Sequence, residues 1–155
     1  MDKSLCTEKP FGLFNKAEAH ISIVISLFTS ENHREDDEPN KGICLHATQA
    51  VEKLLKGFII YNNYKVRKIY NLDCLLETAK KIDPSFSDIA NECLLLNGFT
   101  AVYHYCYRQP FTKKESIQIV KALKKISQFP PINAMRDLFD MVSGYNKMSD
   151  NEWEF

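Results

Sequence analysis

The polar residues of one long helical segment are the first in this sequence that could bind a ligand. Over residues 43–62, apolar residues recur at helical spacing. The remaining surface carries His46, Gln49, Glu52, Lys53 and Lys56. These side chains could line a polar groove between helices or between protomers. Taken alone, they favour a solvated helix face with Glu52 and Lys56 as an i,i+4 ion pair, worth about 0.2–0.5 kcal/mol.

Residues 103–110 (YHYCYRQP) are the second segment that could bind a ligand. Arg108 stands just before a predicted helix end, where its planar guanidinium group could bind a phosphate or carboxylate through two hydrogen bonds. The neighbouring tyrosines, Tyr107 among them, could stack on a base. The alternative, which the residues alone favour somewhat, is that the tyrosines pack in the core and Arg108 pairs with an acid.

The absence of several known motifs argues against some classes of chemistry. The sequence has no glycine-rich phosphate loop, no HExxH motif and no GxSxG motif. A metal site would need helices to bring His46 and His104 together, so we predict no metal and no cofactor. The 20 basic and 20 acidic residues balance, so a nucleic-acid role would have to rest on a local patch.

The cysteines and the N-terminal residues indicate a reducing compartment. No two cysteines form a CxxC pair, which predicts reduced, mostly buried thiols in a cytoplasmic protein rather than disulfides or a zinc site. The N-terminus has no apolar stretch of the signal-peptide type, and no apolar run is long enough to span a bilayer. The cysteines are Cys6, Cys44, Cys74, Cys93 and Cys106.

Six helices are predicted to position these residues. Residues 29–41 read as an acidic surface loop, and the alternating Tyr103, Tyr105 and Tyr107 leave a short strand as a rival interpretation. A Thr112–Glu115 capping box opens the fifth helix, whose surface is rich in lysine. The helices cover residues 15–28, 42–62, 72–82, 85–107, 113–129 and 132–145.

Short connections between helices favour antiparallel neighbours. We therefore predict an all-α fold, an antiparallel up-and-down bundle of four to five helices plus a C-terminal accessory helix. Its length predicts a single domain, with the bundle at about residues 14–130 and the accessory helix and tail at residues 131–155. Leu45 and Ile60 fall on the polar side of the second helix and could contact a partner chain.

Three segments of the sequence resemble the HEPN family of small helical domains. The strongest match is residues 47–57 (ATQAVEKLLKG), which are similar to the QAVEKxLKA-type core of a family helix. Residues 69–76 (IYNLDCLL) resemble a His-Asp-Leu-x-x-Leu pattern, and residues 107–110 (YRQP) resemble Arg-Tyr-Pro. The resemblance extends over about residues 15–129 and implies an antiparallel helical bundle that commonly forms a homodimer.

The resemblance also implies two types of function. Some members bind nucleotides or accompany small nucleotidyltransferases, whereas others are metal-independent ribonucleases and toxins with an arginine followed a few residues later by a histidine. Arg108 matches that arginine, but no histidine follows it, and Tyr70 stands where many members have histidine. His104 precedes Arg108, in the reverse order. Acid–base cleavage of RNA needs a group that exchanges protons near neutral pH, usually histidine.

We therefore predict a homodimeric domain that binds a nucleotide, a nucleic acid or a partner protein such as a nucleotidyltransferase. We predict that it is non-catalytic, because the ribonuclease motif is not intact. One alternative is a metal-independent ribonuclease toxin of a toxin–antitoxin or defence system, with Arg108 and His104 as its catalytic residues. Another is a purely structural interaction module. The predicted ligand-binding residues are Gln49, Glu52, Lys53, Lys56, Tyr70, Tyr107 and Arg108.

Overall fold

The computed structural model of the protein describes residues 4–30, 38–68, 71–105, 112–144 and 153. The described residues form helices and no strand, which confirms the predicted all-α fold. A single antiparallel bridge joins Leu5 to Arg67. The helices are α1 (Pro10–Phe28), α2 (Glu38–Tyr61), α3 (Leu72–Ile82), α4 (Ala90–Tyr105), α5 (Lys113–Gln128) and α6 (Pro130–Ser143), with a 3-10 helix at Pro84–Ile89 before α4.

Two helices begin earlier than the apolar pattern predicts. α1 starts at Pro10, because proline at the first helical position has its φ preset and lacks only an N–H that would have no helical partner. α2 starts at Glu38, so the end of the predicted acidic loop is helical. Asn40 is fully buried there and accepts a hydrogen bond from the Ser116 hydroxyl at 2.6 Å.

The other predicted boundaries depend on caps. The Asn71 side chain accepts a hydrogen bond from the Cys74 N–H, and α3 spans the predicted residues. The capping box of Thr112 and Glu115 is present at the start of α5. The predicted start of the fourth helix is a 3-10 helix capped by Asp83, and the backbone up to Tyr105 is helical, so the strand interpretation is wrong there.

α1 and α2 form an antiparallel hairpin that passes through the core. A Cβ atom added to Gly57 would lie 3.1 Å from the Phe14 ring, and one added to Gly42 would lie 2.9 Å from Leu27. The two glycines therefore allow α1 to approach α2 closely at both ends of the hairpin. Phe86 closes the other side of the core, with its ring centroid 4.6 Å from that of Phe58 and 5.0 Å from that of Phe129.

A buried ion pair joins α6 to α1. Glu18 and Arg136 are each 1% exposed. Arg136 donates from Nε and Nη2 to both carboxylate oxygens of Glu18, and from Nη1 to the Ser127 carbonyl at 3.0 Å. The guanidinium group thus connects α1, the last turn of α5 and α6.

The cysteines of the described residues are free thiols in two kinds of environment. Cys44 and Cys93 are buried, and burial raises the pKa of each thiol to about 12. Cys74 is exposed and Cys6 is half-buried. The expectation of buried thiols therefore holds for two of these four cysteines, and Cys106 lies outside the described residues.

Within the described ranges, no helix is both long enough and apolar enough to cross a membrane.

We expect Arg136→Met to destabilise the fold by about 3–5 kcal/mol, because it leaves the buried Glu18 carboxylate without its charge partner. Urea unfolding measures the loss. Lys16→Met is the matched control, because the Lys16–Glu8 pair is exposed and such pairs contribute about 0–1 kcal/mol. Adding Glu18→Leu to Arg136→Met should restore most of the stability. Equal losses of stability in Lys16→Met and Arg136→Met would show that the buried pair is no more important than the exposed one.

Thiol reactivity should follow burial. In the native protein, Cys74→Ser should remove a fast-reacting thiol, whereas Cys93→Ser should change only the slow phase that accompanies unfolding, because a thiol with a raised pKa forms little nucleophilic thiolate. Titration with a chromogenic disulfide reagent measures both phases. A fast phase that shrinks in Cys93→Ser would show that this thiol is accessible.

Candidate ligand-binding site

The polar side of α2 is a crowded surface next to α1 and the N-terminal segment. Gln49, Glu52 and Lys53 are each half-buried. Lys56 is only 3% exposed and donates hydrogen bonds to the Glu52 carboxylate and to the Lys68 carbonyl, both at 2.6 Å. The predicted Glu52–Lys56 ion pair is therefore present. It is partly buried, whereas the residues alone favoured a solvated helix face.

The N-terminal segment holds the Lys68 carbonyl beside Lys56. The Cys6 N–H donates to the Val66 carbonyl at 2.7 Å, and the Lys68 N–H donates to the Ser4 carbonyl at 2.7 Å. Residues 66–68 are thus fixed on one side by the N-terminal backbone and on the other by the Lys56 ammonium group. Tyr70, two positions further along the chain, lies outside the described residues.

Glu8 adds a carboxylate to this surface from the residues that precede α1. It accepts a hydrogen bond from Lys16 at 2.7 Å. That bond lowers the pKa of the Glu8 carboxyl group, burial opposes the shift, and the charges of Lys16, Lys53 and Lys56 lower it further. The Glu8 carboxylate is therefore favoured in its charged form.

Two histidines meet on the same side of α2. The Nδ1 atoms of His20 on α1 and His46 on α2 lie 2.9 Å apart, a hydrogen bond in which one ring donates and the other accepts. The ring centroids are 5.1 Å apart. Burial lowers the pKa of His20, the positive charges of His46 and Lys53 lower it further, and the Glu52 charge raises it. The neutral form of His20 is therefore favoured beside Lys53.

The sequence interpretation missed His20, because its contact with His46 depends on how α1 packs against α2. Close contacts at Gly57 with Phe14 and at Gly42 with Leu27 define the register of the α1–α2 hairpin. In that register, the middle of α1 lies opposite the middle of α2, and His20 contacts His46, about one helical turn before the position directly opposite it.

α4 contacts the other side of α2. The Thr48 and Thr100 hydroxyls lie 2.8 Å apart and share a hydrogen bond, in which the accepting hydroxyl is free to donate to the carbonyl four residues earlier in its own helix. On the side that faces α1, His46 contacts His20. His104 has a helical backbone, but its side chain is outside the described residues, as are Tyr107 and Arg108 altogether.

Leu45 and Ile60 on α2 are both partly covered by this chain. Ile60, expected to contact a partner chain, is half-buried against this chain's own core, whereas Leu45 is half-buried on α2. In the part of the chain that the structure describes, no three histidine, cysteine or acidic side chains gather as metal ligands would.

We expect the stability of the fold to fall as the pH drops below about 6.5, the ordinary pKa of histidine. His20 has a lowered pKa in the folded state, so the unfolded chain binds a proton more readily there, and acid favours unfolding until the pH passes the folded pKa. Urea unfolding near neutral pH and near pH 5.5 measures the loss for the wild type and for His20→Gln. The variant should lose less, and an identical pH dependence would show that His20 does not contribute.

Comparisons with known proteins identify the family. A model of the HEPN domain matches residues 25–132, well over half of the chain. No curated protein and no solved structure matches it. The matched residues include all of α2 and α3, the 3-10 helix, α4 and α5, together with the segment 47–57 that carries the strongest resemblance. The helical architecture agrees with that match, and the chain belongs to the HEPN domain family.

Proposed function

We propose that this chain is a non-catalytic HEPN domain that binds a nucleotide or the end of a nucleic acid through the polar side of α2. The observation that carries the proposal is that Lys53, half-buried on this surface, has no ion-pair partner within hydrogen-bond reach in the described part of the chain. Glu8 pairs with Lys16, and Glu52 pairs with Lys56, which leaves no ion pair for Lys53 among the described residues. A phosphate group could pair with its ammonium group.

The side chains around Lys53 support an anion site. Gln49 is one helical turn away on α2 and can donate from its amide group. The charge of Lys53 lowers the pKa of His20, so an anion bound at Lys53 would offset that effect and favour the charged form of His20. We assign Lys53 and Gln49 to direct contact with the phosphate. Glu52 and Lys56 hold residues 66–68 in position.

The remaining predicted residues complete the proposal. We assign base stacking to Tyr70 and Tyr107, and a second phosphate contact to Arg108, on the strength of their residue types and the family resemblance. No histidine occurs in the residues that directly follow Arg108 (QPFTKK), so we propose binding without cleavage. We also propose that the chain forms one domain and acts as a homodimer, with Leu45 at the contact between protomers.

The expected result is saturable binding of labelled mononucleotides or short RNAs, measured by fluorescence anisotropy. Lys53→Gln and Arg108→Ala should each weaken it about tenfold or more, because a hydrogen bond to a charged group contributes about 1.5–3 kcal/mol. Lys114→Gln is the control, since Lys114 is exposed on α5, away from this surface. Absence of saturable binding, or binding unchanged by both variants, would refute the proposal, and cleavage of the RNA would favour the ribonuclease alternative.

A sedimentation experiment tests the dimer separately. Wild-type protein should sediment as a dimer, and Leu45→Glu should shift it toward the monomer, because an unpaired carboxylate would be buried at the contact. A monomeric wild type would refute the homodimer.

A further inference from the structure

A second surface of the protein has the composition of a binding groove. It lies between α5 and the end of α1 and encloses about 610 Å³. Its apolar lining comes from Phe28, Ile117, Val120 and Trp153. Three lysines complete the lining, at positions 113, 121 and 124. We call this surface the α5 groove.

The three lysines of the α5 groove are not neutralised by acids of the same helix. The Glu115 carboxylate closes the capping box by accepting hydrogen bonds from the N–H and hydroxyl of Thr112. Glu92 on α4 forms an ion pair with Lys125 at 2.8 Å, and Lys125 is not part of the groove lining. Within the described ranges, Lys113, Lys121 and Lys124 form no ion pair, so no direct contact with a carboxylate neutralises their ammonium groups and each can bind an anion.

The shape of the α5 groove narrows the class of ligand. Lys113 and Lys121 are two helical turns apart, about 12 Å along the axis, with Lys124 about 4.5 Å further on. Cations spaced along a groove can follow the phosphates of an extended strand, while apolar side chains between them can pack against bases. A bilayer is a poor fit because much of the apolar lining is recessed: Trp153 and Val120 are each 4% exposed, and Ile117, which is 36% exposed, lies at the surface.

We propose that the α5 groove binds single-stranded nucleic acid, with Lys113, Lys121 and Lys124 on the phosphates and Ile117 at the edge of a base. Trp153 forms part of the floor. The groove is lined by α1, α5 and Trp153, whereas the α2 surface around Lys53 contains none of these lysines. The proposal therefore concerns a separate surface and holds whether or not the α2 site binds a nucleotide.

The test is the salt dependence of binding of a labelled oligouridine to full-length protein. Each phosphate contact with a single strand contributes about −0.7 to the slope of log K against log salt. The triple variant Lys113→Gln, Lys121→Gln, Lys124→Gln should therefore reduce the slope by about 2 and weaken binding about tenfold or more at low salt.

A triple variant with the same change in charge is the control. Lys9, Lys81 and Lys114 are all exposed and none lines the α5 groove. Replacing these three with glutamine should leave the slope nearly unchanged. Equal loss in both triple variants would show that binding reflects total charge, which would overturn the proposal. If Lys53→Gln abolished binding and the groove variant had no effect, the oligouridine would be bound at the α2 site. That result would also overturn the proposal.

Trp153 provides a direct readout because it is the only tryptophan in the sequence. Strand binding in the α5 groove should change its fluorescence in the wild type and not in the groove variant. An unchanged emission at saturating oligonucleotide would contradict the proposal. Tighter binding of a duplex of equal length, of polyglutamate or of anionic vesicles would also overturn it, in favour of another class of partner.

Discussion

The buried pair of Glu18 and Arg136 constrains the positions of three helices. Two charges taken out of water are tolerated only when they meet each other and their remaining polar atoms are satisfied. Here the carboxylate on α1, the guanidinium group on α6 and the Ser127 carbonyl must meet within hydrogen-bond distance. The pair also fixes the rotation of α1, because Glu18 faces α6 while His20 faces α2. Both charged residues lie outside the segment that matches the HEPN domain, so this chain stabilises the shared bundle through its own flanking residues.

Local signals in the sequence were sufficient for most of the fold. α3 was predicted at its observed boundaries because Asn71 and Asp83 terminate it through side-chain and backbone bonds that involve only nearby residues. The start of α2 was missed because the charged residues before it resemble a loop. What makes that turn helical is distant in the chain: Asn40 is buried against Ser116 on α5. A pattern within one segment carries no information about such a partner.

The candidate site was harder to predict for the same reason. A helical wheel placed Lys56 on the polar side of α2, but the wheel does not contain Lys68, whose carbonyl accepts from the Lys56 ammonium group and covers it. The His20–His46 contact joins positions 26 residues apart and depends on how α1 slides along α2. Residue types thus indicated which helix carries the polar groups, and only the packing of helices showed which of them meet.

Gly57 has a consequence for the contact between α1 and α2. Residues 49–57 resemble a QAVEKxLKA-type family core, with glycine where that core ends in alanine. Glycine costs a helix about 1 kcal/mol relative to alanine, yet the Phe14 ring lies 3.1 Å from where an alanine methyl group would be. Alanine at position 57 would therefore require the Phe14 ring to shift by a few tenths of an ångström. Helix propensity and the contact between the two helices thus favour different residues at this position.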